Sequence, residues 1–324
     1  FVRDVSLSTG GFGPKYGDRL SSVTNLTLRE GNDQQFAGEI NLSATGFGVI
    51  AEGPVGDNGT FLLSARRSYL DLIFKAAGFG FIPEYWDFSG KLTFDLSPAD
   101  KISFLAIGAL DEVKFNNTEE NLYDNSRVTA PSQNQYFAGL TWRRLLDNGY
   151  LNVTLGRTFT YYNTVQQDSL ANDVFRTVTN EGENSLRADL VLLPTSTLEL
   201  NIGGIVKYAS QLDYQVVLPG FARLDGAGNP APLRVDTSFT ALRAGLYAQA
   251  DWSISDQWKL TVGARGDVYA FLEQEKFALS PRANISYLVA PEMTLRLGGG
   301  RYYQAPQFIW MIGDPSNPSN LKPL

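Results

Sequence analysis

Apolar and polar residues alternate along this chain for ten or more positions at a time, and a period of two is compatible with extended strands alone, since it sends successive side chains to opposite faces. Residues 88–97, FSGKLTFDLS, set Leu92, Phe94 and Leu96 on one face and Lys91, Thr93 and Asp95 on the other. Residues 239–252 set Leu242, Ala244, Leu246, Ala248, Ala250 and Trp252 against Arg243, Tyr247, Gln249 and Asp251. The next run opposes Leu260, Val262, Ala264 and Val268 to Thr261, Arg265 and Asp267. With nine more runs, at 37–52, 60–70, 101–113, 134–146, 150–162, 184–193, 197–212, 275–288 and 292–303, twelve strands are predicted.

The connections alternate as strictly as the side chains. Tight turns fall at 53–59, 97–100, 146–149, 193–197, 253–256 and 289–292, and longer connections around 71–83, 114–132, 163–182 and 214–235. Short turns at one end and long loops at the other are the mark of a transmembrane antiparallel β-barrel, with the short turns periplasmic. Many of the runs reach 12 residues or more, whereas a tilted strand crosses the hydrocarbon in roughly 9 to 11. Charges such as Arg265 and Asp267 are costly toward lipid and cheap toward a wet lumen. Aromatic residues make up 12% of the chain, and they gather near strand ends (Tyr69, Tyr85, Trp86 and Phe88; Tyr161 and Tyr162; Trp252 and Trp258; Tyr302 and Tyr303), as interfacial anchors do.

Composition removes whole classes of function. There is no His and no Cys among 324 residues, which eliminates Ser-His-Asp chemistry, thiolate catalysis, disulfides and the usual zinc and haem ligands. No catalytic residue, metal site or cofactor is read from the chain. A net charge of −7 offers no basic field for nucleic acid. Of the rival readings, a passive porin or complete twelve-stranded pore should finish on a barrel strand, and this chain ends in a Pro-, Asn- and Ser-rich stretch, DPSNPSNLKPL. A barrel-embedded phospholipase requires the missing His, and a soluble carbohydrate-binding or adhesion sandwich has shorter strands.

Residues 10–31, GGFGPKYGDRLSSVTNLTLREG, break the beat with a Gly-rich turn and a short alternating run. The segment KYGDRLSSVTNLTLREGN resembles the end of the plug domain of TonB-dependent outer-membrane receptors. FAGEINLSATGFGVIAEGPVGDNGTFLLSARRSYLDLI is similar to the first barrel hairpin of Bacteroidetes-like members, and RYYQAPQF with NPSNLKPL resembles a mid-barrel strand and loop. The resemblance implies a 22-stranded wall around a plug. The expected division is therefore a plug end at 1–31 and an amino-terminal part of the barrel at 32–324, about 12 of 22 strands. It also implies a cell outer membrane location, contact with membrane lipid and lipopolysaccharide, and energy from TonB-ExbB-ExbD delivered through a segment not present here. The expected solute is large and scarce, an iron-siderophore first, with glycan, cobalamin or peptide as alternatives and a surface lipoprotein as a further partner.

In such receptors plug arginines meet acidic wall residues. The resemblance makes Arg19 and Arg29, with Glu30 and Glu52, the candidate plug–barrel contacts; the residues alone leave open that these are solvated lumenal charges. Arg66 and Arg67 are adjacent, so one faces the lumen and the other the lipid side. Arg66, Trp86, Tyr162 and Tyr303 are the candidate substrate-facing residues. The acidic pairs Asp111 and Glu112, and Glu119 and Glu120, read as a solvated rim.

Overall fold

The computed structural model describes residues 1–118, 120–170, 172–224, 227–313 and 317–324; Glu119, of the acidic rim, and 314–316, of the terminal stretch, lie outside them. Its alternating runs form one antiparallel meander in which each strand pairs with its sequence neighbours. The wall begins with β3 (Ala37–Leu42), β4 (Gly46–Val55), β5 (Gly59–Ser68), β6 (Phe81–Asp95) and β7 (Asp100–Phe115). It continues through β8 (Ala130–Leu146), β9 (Gly149–Gln167), β10 (Asp173–Thr195) and β11 (Leu198–Leu224). It closes its run with β12 (Pro230–Ser253), β13 (Trp258–Tyr269), β14 (Phe277–Ala290) and β15 (Met293–Gly300). Apart from it stands a two-stranded sheet of β1 (Val2–Ser8) and β2 (Val23–Leu28).

Among the described residues the wall has thirteen strands where twelve were expected, because 37–52 is a hairpin and not a single strand. Ser43 makes the turn. Its hydroxyl accepts the amides of Thr45 and Gly46, and its own amide donates to the Gly46 carbonyl. A serine turn of this kind needs no Pro and little Gly, so the run reads as unbroken. Two of the long loops also shrink. β9 and β10 stay paired to Gln167 and Asp173, and β11 and β12 to Leu224 and Pro230, so much of 163–182 and 214–235 is ladder.

Register turns the alternation into two surfaces. One row runs across ten strands, from β5 to β14, through Phe61, Leu92, Phe104, Leu140, Leu155, Leu186, Val206, Ala244, Val268 and Phe277. Every member is apolar, and most are well exposed, Leu155 at 55%. In water so continuous a patch would drive aggregation, whereas hydrocarbon covers it. The adjacent row on the other face passes through Lys91, Ser185, Lys207, Arg243 and Tyr269. Lys91 donates to the Leu28 carbonyl of the leading segment, 3.0 Å away. The segment also touches β4, β12, β13 and β14 with that same face. A flat sheet cannot present both ends to one small object, so the wall curves around it. Leu92 and Phe94 are outside and Lys91, Thr93 and Asp95 inside, as the period-two pattern predicts.

Candidate functional site

The leading segment is held where β12, β13 and β14 turn basic side chains inward. Its Gly-rich stretch lies against the wall more closely than a side chain permits: a Cβ on Gly17 would stand 2.1 Å from Arg265 Nε, and one on Gly13 2.3 Å from Gln249 Oε1. Arg282 donates from Nη1 to the carbonyls of Gly13 at 2.7 Å, Tyr16 at 2.8 Å and Phe12 at 3.2 Å. Its guanidinium carbon is 5.1 Å from the Phe12 ring centroid and 4.4 Å from that of Tyr302. The group is only 4% exposed, so carbonyl dipoles and π faces replace its hydration. Beside it Arg265 is neutralised by Asp267 at 2.7 Å and reaches the Pro14 carbonyl. Asn284 donates to the Gly11 carbonyl.

Asp18 is the charged end of this contact. Its backbone is left-handed, with φ at 60°, a conformation Asp tolerates better than most residues. One carboxylate oxygen accepts from Arg243 at 2.6 Å, the other from the Ala305 amide at 2.6 Å, which joins the segment to the wall and to the stretch after β15. Arg243 also pairs with Glu183, which in turn meets Lys207 at 3.0 Å. Tyr247 donates to Asp189, itself bound to Arg187. Between segment and wall lies a cavity of about 400 Å³ lined by these cations together with Lys15 and Arg19.

On the far side of the wall the charges are arranged differently. Arg29 donates to both oxygens of Glu52, which also accepts the Asn32 amide. Glu30 receives Lys101 at 3.1 Å, and Lys101 is shared with Asp95. Arg29, Glu30 and Glu52 therefore lie at the contact of segment and wall. Arg19 is placed otherwise: it donates to the Asp18 carbonyl and meets no wall carboxylate among the described residues. Against the expectation of plug arginines on an acidic wall, the larger cluster has the opposite polarity. Wall arginines grip a carboxylate and a run of carbonyls. Spacing does not reveal this, because Asp18 and Arg243 are 225 positions apart; the inward parity of Arg243, Arg265 and Arg282 was the available sign.

The four candidate substrate-facing residues divide by face. Arg66 stands opposite Asp87 on the lumenal side and is held by it at 2.9 Å, in a pocket of about 600 Å³ with Glu39, Asn41 and Tyr85. Tyr162 shares the inward parity of Thr158 and Thr160, high on β9. Tyr303 packs against the buried cluster of Tyr269, Leu272, Ala305 and Met311, with Arg301 over its ring. Trp86 is on the outer face. It stacks on Phe88 at 6.0 Å and carries Arg67 over its ring, the arrangement of an interfacial anchor. Arg67 follows the outer parity too, and pairs with Asp71 at 3.1 Å. Above Trp86, Lys114 is bound to Glu84 at 2.8 Å and Glu112 at 3.2 Å. The Lys114 hydrogen bond holds the Glu84 carboxyl below the usual carboxylate range, and the two carboxylates raise the Lys114 ammonium.

Comparison with known proteins places this geometry. Residues 67–324 match the family described as TonB dependent receptor-like, beta-barrel. No curated protein matches the chain. Among solved structures, the ferripyoverdine receptor of the outer membrane of Pseudomonas aeruginosa, bound to ferripyoverdine, is 15% identical with a TM-score of 0.73, over 94% of this chain and 47% of that one. The ferric enterobactin receptor mutant Q482A of the same organism, in complex with enterobactin, is 15% identical with a TM-score of 0.71, over 96% and 50%. The siderophore receptor PirA of Acinetobacter baumannii is 14% identical with a TM-score of 0.67, over 93% and 48%. The chain spans about half the length of these structures. At such identities the likeness is one of fold.

Proposed function

We propose a function from one premise: the chain belongs to the TonB-dependent receptor β-barrel family. It forms part of an outer-membrane receptor that imports a large, scarce solute with energy supplied from the inner membrane through TonB-ExbB-ExbD. The family is one of transport receptors and not of enzymes. The observation that carries the reading is the contact between leading segment and wall. Carbonyls, three ion pairs and one cation–aromatic cluster hold the segment in the lumen, with a polar cavity beside it. Ion pairs next to a wet cavity are individually modest, of order 1 kcal/mol. A plug held this way closes the lumen at rest and gives way to a directed pull.

An iron-siderophore complex is the first choice of solute, by extension from relatives that bind ferripyoverdine or enterobactin; glycan, cobalamin and peptide are the alternatives. Residues 1–31 are the plug's end and 32–324 barrel wall. Arg29, Glu30 and Glu52 act as plug–barrel contacts and Arg19 as a cation of the adjoining cavity; Arg66, Tyr162 and Tyr303 face the solute. The Bacteroidetes-like character of the first hairpin, lipopolysaccharide around the wall, and a surface lipoprotein partner belong to the same proposal. Transport of iron-loaded siderophores by cells carrying the receptor tests it. Uptake stops when TonB or the proton-motive force is removed, while binding at the cell surface persists. Uptake that continues unchanged without either assigns the chain to passive pores.

A further inference from the structure

On the outer face above the periplasmic turns, Arg67 is paired with Asp71, Lys114 with Glu84 and Arg176 with Asp173. Arg157 differs. Register places it on the apolar face, two residues beyond Leu155 on β9 and opposite Ala138. Its Nε donates to the Tyr136 hydroxyl at 3.0 Å and its Nη1 to Asn184 Oδ1 at 2.9 Å. Asn184 is oriented in turn by its bond to Ser210 Oγ at 3.0 Å. Both partners are uncharged, so among the described residues the guanidinium is fixed in direction and not neutralised. It is eight residues past Gly149, roughly 20 Å above the periplasmic turn at the usual rise and tilt, near the outer edge of an apolar band about 25 Å tall. Tyr136 and Phe159, stacked at 5.5 Å beside it, mark that edge.

A second observation leads away from the same spot. A groove of about 650 Å³ descends across β8, β7, β6 and β5 on this face, where small residues Ala138, Gly108, Ala106 and Gly90 lie between the bulky Tyr136, Phe88 and Leu63. Its upper end is Tyr136, whose hydroxyl Arg157 holds. On the other side of Arg157, away from the membrane, the same face presents a row of Asn134, Tyr161 and Asn180. An apolar trough, a fixed cation at its mouth and an amide-rich row above match the three parts of one amphiphile: acyl chain, phosphate and sugar.

We propose that the outer surface of β5 to β10 binds one phosphorylated glycolipid of the outer leaflet, with an acyl chain in the groove, its phosphate on Arg157 and its sugar against Asn134, Tyr161 and Asn180. A planar guanidinium preset by Tyr136 and Asn184 binds a phosphate oxygen without ordering a flexible side chain. The proposal rests on the outer-membrane placement of the wall and is independent of the solute and of energisation. Receptor purified from outer membranes in mild detergent, delipidated and titrated in native mass spectrometry with diphosphoryl lipid A, its dephosphorylated form and phosphatidylglycerol, tests it. Diphosphoryl lipid A binds best, and Arg157→Gln weakens it about tenfold, as expected for losing a charge-assisted contact. Arg157→Lys restores part of the loss, and Ala138→Trp, which fills the groove, weakens all three lipids. Siderophore binding is unchanged throughout, since every altered side chain faces lipid. Equal binding of the phosphorylated and dephosphorylated forms to the unaltered receptor overturns the proposal without any variant having to fold. Phosphatidylglycerol binding as tightly as diphosphoryl lipid A overturns it too. Recovery of the receptor outside the outer membrane sinks the functional reading instead.

Discussion

Arg282 directs one guanidinium nitrogen at three carbonyl oxygens and packs beside two aromatic rings that touch each other. Hydrogen bonds to a charged group contribute about 1.5 to 3 kcal/mol each, net of the water bonds they replace. Lysine keeps the charge and can donate to carbonyls, but it lacks the delocalised, weakly hydrated guanidinium that packs on aromatic faces. Arg282→Lys is therefore expected to loosen residues 11–18 by about 2 kcal/mol, read as faster amide hydrogen exchange there and nowhere on β3 to β9. Unaltered exchange would mean that the segment is held elsewhere. Asp18→Asn isolates charge from backbone, because Asn also accepts the left-handed conformation. Arg243 keeps Glu183 in that variant, so a smaller loss, near 1 kcal/mol, and a rise in leak of small solutes are expected. A loss above that of Arg282→Lys would show that the Arg243 ion pair, not the Arg282 contacts, is the stronger anchor.

At the scale of elements, the β6–β7 hairpin ends in an ion-pair group well above Trp86, and its response to pH has a definite sign. Glu84 has a depressed pKa, so its contribution is complete above the free carboxylate value and is lost as pH falls through the folded one. Lys114 is raised, so its share is complete below the free ammonium value and lost as pH rises through the folded one. The hairpin base should hold the following loop most firmly between roughly pH 5 and 10. Limited proteolysis at 116–129 should accelerate outside that window, and Glu84→Gln should remove the acid limb alone; an unchanged acid limb would show that Glu84 does not carry it. The strands themselves were legible where one face meets lipid, because there the pattern is enforced residue by residue. Above the membrane both faces are wet, the alternation fades, and paired stretches such as Thr164 with Thr177 read as loop. The turn at Ser43 was hidden for a related reason: its hydrogen bonds come from a hydroxyl and not from a Gly or Pro that spacing can flag. Arg29, Glu30 and Glu52 were visible through resemblance, whereas the grip of Arg243, Arg265 and Arg282 on the Gly-rich stretch depends on strand register that no local pattern encodes.

For the whole molecule, the two sheets differ in what resists separation. The wall is a continuous hydrogen-bonded ladder of thirteen strands, and breaking any pair in hydrocarbon exposes backbone groups with no water to receive them. The leading segment shares no ladder with it and is attached by side chains, mostly around residues 11–18 and 28–32. A close approach also marks the second attachment, where a Cβ on Gly31 would lie 2.0 Å from the Phe61 carbonyl. Force applied at residue 1 of the receptor in a lipid bilayer should therefore open β1 and β2 and strip residues 1–31 from the lumen before any wall strand leaves. Two small force peaks are expected, one as the Arg282 and Asp18 contacts part and one as Arg29 releases Glu52, followed by a plateau and then larger, regularly spaced events. High salt should lower the two early peaks and leave the later ones unchanged, because ion pairs beside a wet cavity are screened and a backbone ladder in hydrocarbon is not. Gly17→Val, which drives a side chain into Arg265, should erase the first peak while the second persists. Wall strands extracted ahead of residues 1–31 would overturn this order, and with it the idea that a partner pulling on the plug opens a path without dismantling the barrel.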